Sequence, residues 1–400
     1  MKKITRILSS VMTISMLSMP LAACSSSESA SPASPAESQS SAASSGVTEI
    51  SFPTFMCGTA SQTEWCAQRV EAFNTEYEGK YKVVVEEIPG DQNYIDKLKV
   101  LYSADDLPDV IVTGGYNLID MMKDKLVDLT PYLDEDTEWK GQLSSVGVNV
   151  NSRDGQLYAI PYIRQVIGYY YNKDLFAQAG IETPPETWEE FEADCDKLLA
   201  AGITPISMDT ADSGWCTSLL MGAMIGQTDT GEKFMNTNQP DSFVNDDVIQ
   251  AAARIQKIFQ NYTTTDAIGG EYGAAANNFF NEKTAIIANG PWMVSKFYDT
   301  SIVSDDFADK IAVAAYPGNV MYNSGQVGWS IASKTPEKIE ASLAFVKFMT
   351  SEESQKMDLE MCSVVPDRSI EGADVYPLVN DTIALADKAS HSINDYQSLW

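Results

Sequence analysis

A catalytic constellation is the first thing to seek in this sequence, and none assembles. The one histidine, His391, lies near the C-terminus in polar sequence, where solvation is its expected role. It has no evident partners for a Ser-His-Asp triad, and the His-Glu-x-x-His zinc motif is absent. No G-x-x-x-x-G-K-[ST] loop is present, so the chain does not itself hydrolyse ATP, and no G-x-S-x-G elbow occurs. Paired carboxylates can hydrolyse glycosides, but among 56 acidic residues such pairs arise by chance. The cysteines, at 24, 57, 66, 195, 216 and 362, form no C-x-x-C pair, so neither a metal nor a cofactor is expected.

Cys24 stands apart. Met1 to Arg6 carries positive charge, Ile7 to Met19 is an apolar run, and Leu21-Ala22-Ala23-Cys24 follows. The run is shorter than the roughly 20 residues a membrane-spanning helix needs but suits an export signal. The tetrapeptide resembles a bacterial lipobox, which implies lipidation of Cys24 and loss of residues 1–23. From Ser25 to Gly46 half of the residues are serine. Such a tract buries too little apolar surface to offset its ordering entropy, so 24–46 reads as a disordered tether. Without Cys24 five cysteines remain, an odd number. A Cys57–Cys66 bridge is left open, and Cys195, inside a helical pattern, is expected to be a buried small hydrophobe.

The elements that must position any site follow from charge and periodicity. With 27 basic against 56 acidic residues the net charge is −29, and no basic run reverses it locally, which excludes nucleic acid as a partner. Beyond Gly46, short apolar runs alternate with helical periods, an α/β pattern. Strands are predicted at 48–52, 81–88, 108–115, 204–208, 283–290 and 327–333. Helices are predicted at 63–77, 93–106, 187–202, 247–262 and 337–352. Thr187 with Glu190 forms a capping box. Binding loops gather at strand C-termini in such folds.

Successive motifs then carry a resemblance. They are "VEAFNTEYEGKYKVVVEEIP", "DDLPDVIV", "LVDLTPYLDED", "DGQLYAIPY", "GYYYNKDLFAQAGIETPPETWEEF", "NEKTAIIANGPWM" and "GWSIASKTPEKIEASLAFVKFM", spread over residues 48–366. In that order they resemble the solute-binding proteins of bacterial sugar-type ABC importers, the group that includes maltose-binding protein. The resemblance implies a two-lobed, periplasmic-binding-protein-like α/β fold with a hinge and an interlobe cleft. By motif position the first lobe is 47–163 with 325–360 and the second 167–318 with 365–400. The crossings fall near 164–166, 319–324 and 361–364. Family members usually run on for another helix or two, whereas this sequence stops at Trp400.

A sugar offers apolar C–H faces to aromatic rings and hydroxyl rims to carboxylates and amides. The resemblance therefore implies roles for particular residues. Trp292 in "NGPW" matches a position where an aromatic stacks on sugar. Trp215 and Asp212 follow a second-lobe strand where the family often places an aromatic and a carboxylate. Trp329 begins a first-lobe strand. Glu64 sits at the first helix N-terminus, where helix-dipole stabilisation is the alternative role, and Gln165 occupies the hinge entry. Tyr116 and Asn117 follow the Pro-Asp-Val strand, and Asp367 and Arg368 lie beyond the last crossing. Trp65 is equally consistent with a core role, Trp188 with packing, and Trp139 lies in a polar stretch. The expected partners are a carbohydrate, most simply an oligosaccharide, permease subunits with a separate ATPase, and the membrane through the Cys24 lipid. The protein is then a monomer on the outer face of the cell membrane, or facing the periplasm if an outer membrane exists. The rival readings are a surface glycan-active enzyme and a receptor for a peptide, polyamine or other non-sugar solute.

Overall fold

A computed structural model describes residues 46–58, 60–113, 118–211, 213–237, 240–325 and 328–395. Cys24, Tyr116, Asn117 and Asp212 lie outside the described residues. The elements used below are, in chain order, β1 (Thr48–Thr54), α1 (Thr63–Glu76), β2 (Tyr81–Glu87), α2 (Asp91–Ser103), β3 (Val110–Val112), β4 (Ile160–Pro161) and β5 (Arg164–Asn172). They continue with α3 (Trp188–Ala200), β6 (Thr204–Ser207), α4 (Trp215–Ile225), α5 (Asp246–Asn261), α6 (Tyr272–Phe280) and β7 (Thr284–Asn289). After the 3-10 helix Pro291–Tyr298 come β8 (Ile311–Ala314), β9 (Val320–Gly325), β10 (Gly328–Ile331), α7 (Pro336–Met349), α8 (Glu352–Cys362), α9 (Pro377–Ala386) and β11 (His391–Ile393).

The first lobe grows from β1 and β2, paired in parallel with Ile50 opposite Val83, and from the antiparallel order β3–β10–β4. Its core draws on both ends of the sequence: Phe52, Trp65 and Phe73 pack with Trp329, Phe345 and Cys362. The second lobe is one six-stranded sheet, β11–β9–β5–β7–β6, with β8 added on β5. β5 is its organiser. Its first residues pair with β9, and its later ones pair with β7 on one side and β8 on the other. Strand alternation sends Ile167 and Tyr169 into one apolar cluster and Val166 and Tyr170 into another. Both faces of this sheet are therefore covered, which is why "VIGYYY" reads as a continuous apolar run rather than an alternating one.

Gly168 lies in the middle of β5 because nothing larger fits. A β-carbon there would stand 2.4 Å from the Ala314 carbonyl oxygen, a backbone atom of β8. Gly168→Ala should therefore destabilise the protein by about 2 kcal/mol through forced separation of β5 and β8. A urea melt that does not move would mean this pairing yields freely.

The helix predicted at 337–352 forms as α7 but ends earlier, at Met349, and a second helix that was not predicted, α8, begins at Glu352. Thr350 is buried, and Ser351 leaves the helical conformation to accept a hydrogen bond from the Ser354 amide, capping α8. The capping box of α3 forms as the sequence implies, with Thr187 and Glu190 bonding reciprocally. His391 is not simply solvated: its Nδ1 lies 2.8 Å from Glu232 Oε2. Trp139, in a polar stretch, is buried all the same.

Candidate functional site

Three chain segments run side by side between the lobes. Gln165 and Arg164 pair with Ser324 and Gly325, Ile163 bridges to Pro366, and the Arg164 amide donates to the Val365 carbonyl at 2.9 Å. Around these segments the structure gathers Trp292, Trp215, Gln165 and Tyr272.

Trp292 opens the 3-10 helix directly after β7. It is half-buried, and it packs against the apolar clusters of both lobes. Trp215, also half-buried, is the first residue of α4, and its ring centroid stands 6.1 Å from that of Trp292 with the planes tilted by 48°. Two indoles at that separation form a continuous apolar wall with N–H donors at its margins. Gln165 begins β5; its Oε1 is buried and takes no hydrogen bond among the described residues. A buried amide oxygen without a donor costs free energy, so this atom is suited to accept from a ligand hydroxyl or a bridging water.

Behind the wall lies Asp209, fully buried at the end of β6. Its Oδ1 accepts from the Thr217 amide at 3.2 Å, and its backbone carbonyl accepts from the Thr217 hydroxyl at 2.5 Å. Burial pushes the carboxyl up to about 6, against the opposing effect of the Thr217, Cys216 and Trp215 amides. Asp209 thus fastens the α4 N-terminus and with it the Trp215 backbone. Its Oδ2 is buried without a partner among the described residues. On the other side Asn289 donates to the Tyr272 hydroxyl at 3.0 Å, and burial raises the Tyr272 phenol.

Not all of the residues implied by the sequence converge here. Trp329 is a correction: it is fully buried, packed on Phe52 at 5.2 Å and Tyr162 at 5.4 Å. It sits on the central strand of its sheet, opposite Val112 and Ile160, and strand alternation turns the ring into the first-lobe core. Trp65 is buried with its indole N–H donating to the Ser354 carbonyl at 2.9 Å. Glu64 is exposed in the first turn of α1, and its Oε1 accepts from Gln68 at 2.9 Å, a local helix pair. Asp367 and Arg368 serve the scaffold: the carboxylate accepts from the Ser144 amide and hydroxyl, and the guanidinium donates to Gln142.

Two groups escaped sequence reasoning. Asp209 could have been noticed as an acid at the end of a strand and just before a helix start. Asp358 could not, because it is one of many acids on a helix and only folding buries it against Gln62, whose Nε2 donates to its Oδ2 at 2.6 Å. The five described cysteines are all buried free thiols, and burial pushes the Cys66 thiol up to about 12. Among the described residues no group of three or more His, Cys, Asp or Glu is placed to hold a metal ion, and no helix is long and apolar enough to cross a membrane.

Known proteins resemble this chain in sequence and in fold. Over 211 residues it is 28% identical to a multiple sugar-binding protein of Streptococcus mutans, an alignment covering 49% of this chain and 48% of that one. The chain thus spans about half the length of that curated relative. A chitin oligosaccharide binding protein superposes with a TM-score of 0.79 at 21% identity, over 88% of this chain and 90% of the other. A Streptococcus pneumoniae solute-binding protein, solved with the blood group A-trisaccharide, gives 0.73 at 22% identity, over 88% and 90%. At those identities the likeness is one of two-lobed fold. The profile of the bacterial extracellular solute-binding proteins matches residues 59–356, most of the described chain, and the protein belongs to that family.

Proposed function

We propose that this protein is the lipid-anchored receptor of an ABC importer, capturing a carbohydrate, most simply an oligosaccharide, and delivering it to a separate permease and ATPase. The observation that carries the reading is the Trp215–Trp292 pair between the lobes, together with the unpartnered buried Oε1 of Gln165 on a connecting segment. Indole faces suit the C–H faces of a pyranose, and an amide oxygen suits its hydroxyls. Proteins similar to this one point the same way: one is a multiple sugar-binding protein, others bind chitin oligosaccharide, raffinose or maltose. The protein acts by binding and release, without chemistry on its ligand.

The first lobe is taken as 47–163 with 325–360 and the second as 167–318 with 365–400, hinged at the three adjacent segments. Which residues share a core supports this division. Ligand touching both lobes favours the closed form by its differential affinity. Cleavage before Cys24 and lipidation of its thiol hold the receptor on the outer face of the membrane. Two acyl chains suffice, since each buried CH₂ contributes about 0.8 kcal/mol.

A thermal-shift panel of malto-, xylo-, chito- and raffinose-type oligosaccharides tests the ligand class. At a hundredfold excess over Kd a true ligand stabilises by about 2.7 kcal/mol, a rise of several degrees. A rise with peptides or polyamines and none with glycans would overturn the carbohydrate assignment, and turnover of any glycan would reassign the protein to enzymes.

A further inference from the structure

We propose that Gly290 is a positioning residue for ligand capture: its bare Cα is the seat on which the Trp292 ring rests, and any side chain there would lift the indole out of the interlobe wall. The proposal rests on the reading of Trp292 as a ligand platform.

The backbone does not ask for glycine at this position. Gly290 has φ −110° and ψ 177°, extended geometry open to every residue. Space does. A β-carbon on Gly290 would lie 2.3 Å from Cζ3, 2.4 Å from Cη2 and 2.9 Å from Cε3 of Trp292, well inside the ~3.5 Å at which carbons touch. The indole therefore folds back over the residue two positions before it.

Of the two parties to that clash, only the ring can give way. The Gly290 amide donates to Asn289 Oδ1 at 2.9 Å, and its carbonyl accepts from the Met293 amide at 3.1 Å. Asn289 is fully buried and bonded to the Tyr272 hydroxyl, and Pro291 follows with its φ fixed by the pyrrolidine ring. Trp292 is half-buried, with room on its exposed side. A methyl at 290 is thus absorbed by indole rotation, which also breaks the 6.1 Å approach to Trp215. The same absence of a side chain lets part of the indole rest on main chain, while the ring keeps partial exposure through which it can meet a flat, weakly polar ligand face such as that of a pyranose.

The test compares Gly290→Ala, Trp292→Ala and the double variant in the otherwise unaltered protein, first without ligand. Two indoles this close couple in the near-ultraviolet, so circular dichroism reads their mutual geometry. Gly290→Ala should remove the same band that Trp292→Ala removes, and should add no further change in the Trp292→Ala background. Any panel glycan that stabilises the wild type should bind Gly290→Ala on the order of tenfold or more weakly. An unaltered spectrum in Gly290→Ala, or an equal change in both backgrounds, would overturn the seat. If Trp292→Ala binds glycan normally while the spectral result holds, the seat stands and the platform reading fails. If Trp292→Ala loses binding and Gly290→Ala does not, the positioning role fails alone. Should no panel glycan bind the wild type, the dichroism decides the proposal.

Discussion

Trp292→Ala should weaken glycan binding by about 2–4 kcal/mol, or roughly 30- to 1000-fold in Kd, while the ligand-free protein still folds. The loss is large because Trp292 is the one member of the wall that packs against both lobes, so its removal takes away a stacking face and a contact shared by the two lobes together. The fold survives because the ring is only half-buried. A fully buried Trp truncated to Ala costs ~3–5 kcal/mol, and half of that is within reach of an ordinary domain's stability. Trp215→Ala should weaken binding less, since Asp209 still caps α4 and the Trp292 face remains. Isothermal titration with the glycan found in the panel measures both. Unchanged affinity in Trp292→Ala would remove this residue from the site.

Folding stability should fall as pH rises from about 4 to about 8, and Asp358→Asn should flatten most of that slope. Asp358 is 2% exposed, and burial lifts its carboxyl from 3.8 to about 8, against the opposing hydrogen bonds from Gln62 and the Cys362 thiol. The sign follows from proton counting. The unfolded chain gives up this proton near pH 4, whereas the folded chain keeps it until about 8. Between those values the native state binds more protons, so its stability is fully present below the lower pKa and is lost as pH rises through the upper one. Each unit is worth about 1.4 kcal/mol, so the full window amounts to several kcal/mol. Asp209, raised from 3.8 to about 6, adds a smaller contribution of the same sign, confined to a narrower window below pH 6. Urea melts at pH 5, 7 and 9 should show Asp358→Asn gaining on the wild type as pH rises, its amide oxygen still accepting from Gln62. Parallel profiles for the two proteins would sink the assignment.

How far the site could be read in advance differed from residue to residue. Trp215 and Trp292 were approachable because each lies at the start of a helical segment that follows a strand, and in an α/β lobe such junctions gather at one edge. Trp329 misled for a related reason. It also stands at a strand start, but β10 lies between β3 and β4, and a ring on the inward face of a central strand is consumed by the core. Glu64 illustrates a second limit, because an acid in a first helical turn satisfies the helix dipole whether or not anything binds. Asp358 was hidden among 56 acids, since its burial depends on Gln62, far away in the chain, whereas Asp209 bonds to residues close in sequence. Ser351 went unnoticed because the predicted helix ran on to 352, although the residues after Met349 are polar.

Local periodicity, caps and motif order, acting over a few residues, were enough to determine the α/β class, many of the helices and strands between β1 and α7, and the family, but not α4, α6, β8 or β9. They were enough because hydrophobic alternation and capping are short-range properties carried by neighbouring residues. Which tryptophans stay partly exposed between the lobes, which are consumed by a core, and which acids lose their water was decided only by tertiary structure. Those outcomes turn on contacts between residues more than a hundred positions apart, such as Phe52 with Trp329 and Gln62 with Asp358, and on a missing β-carbon beneath one indole.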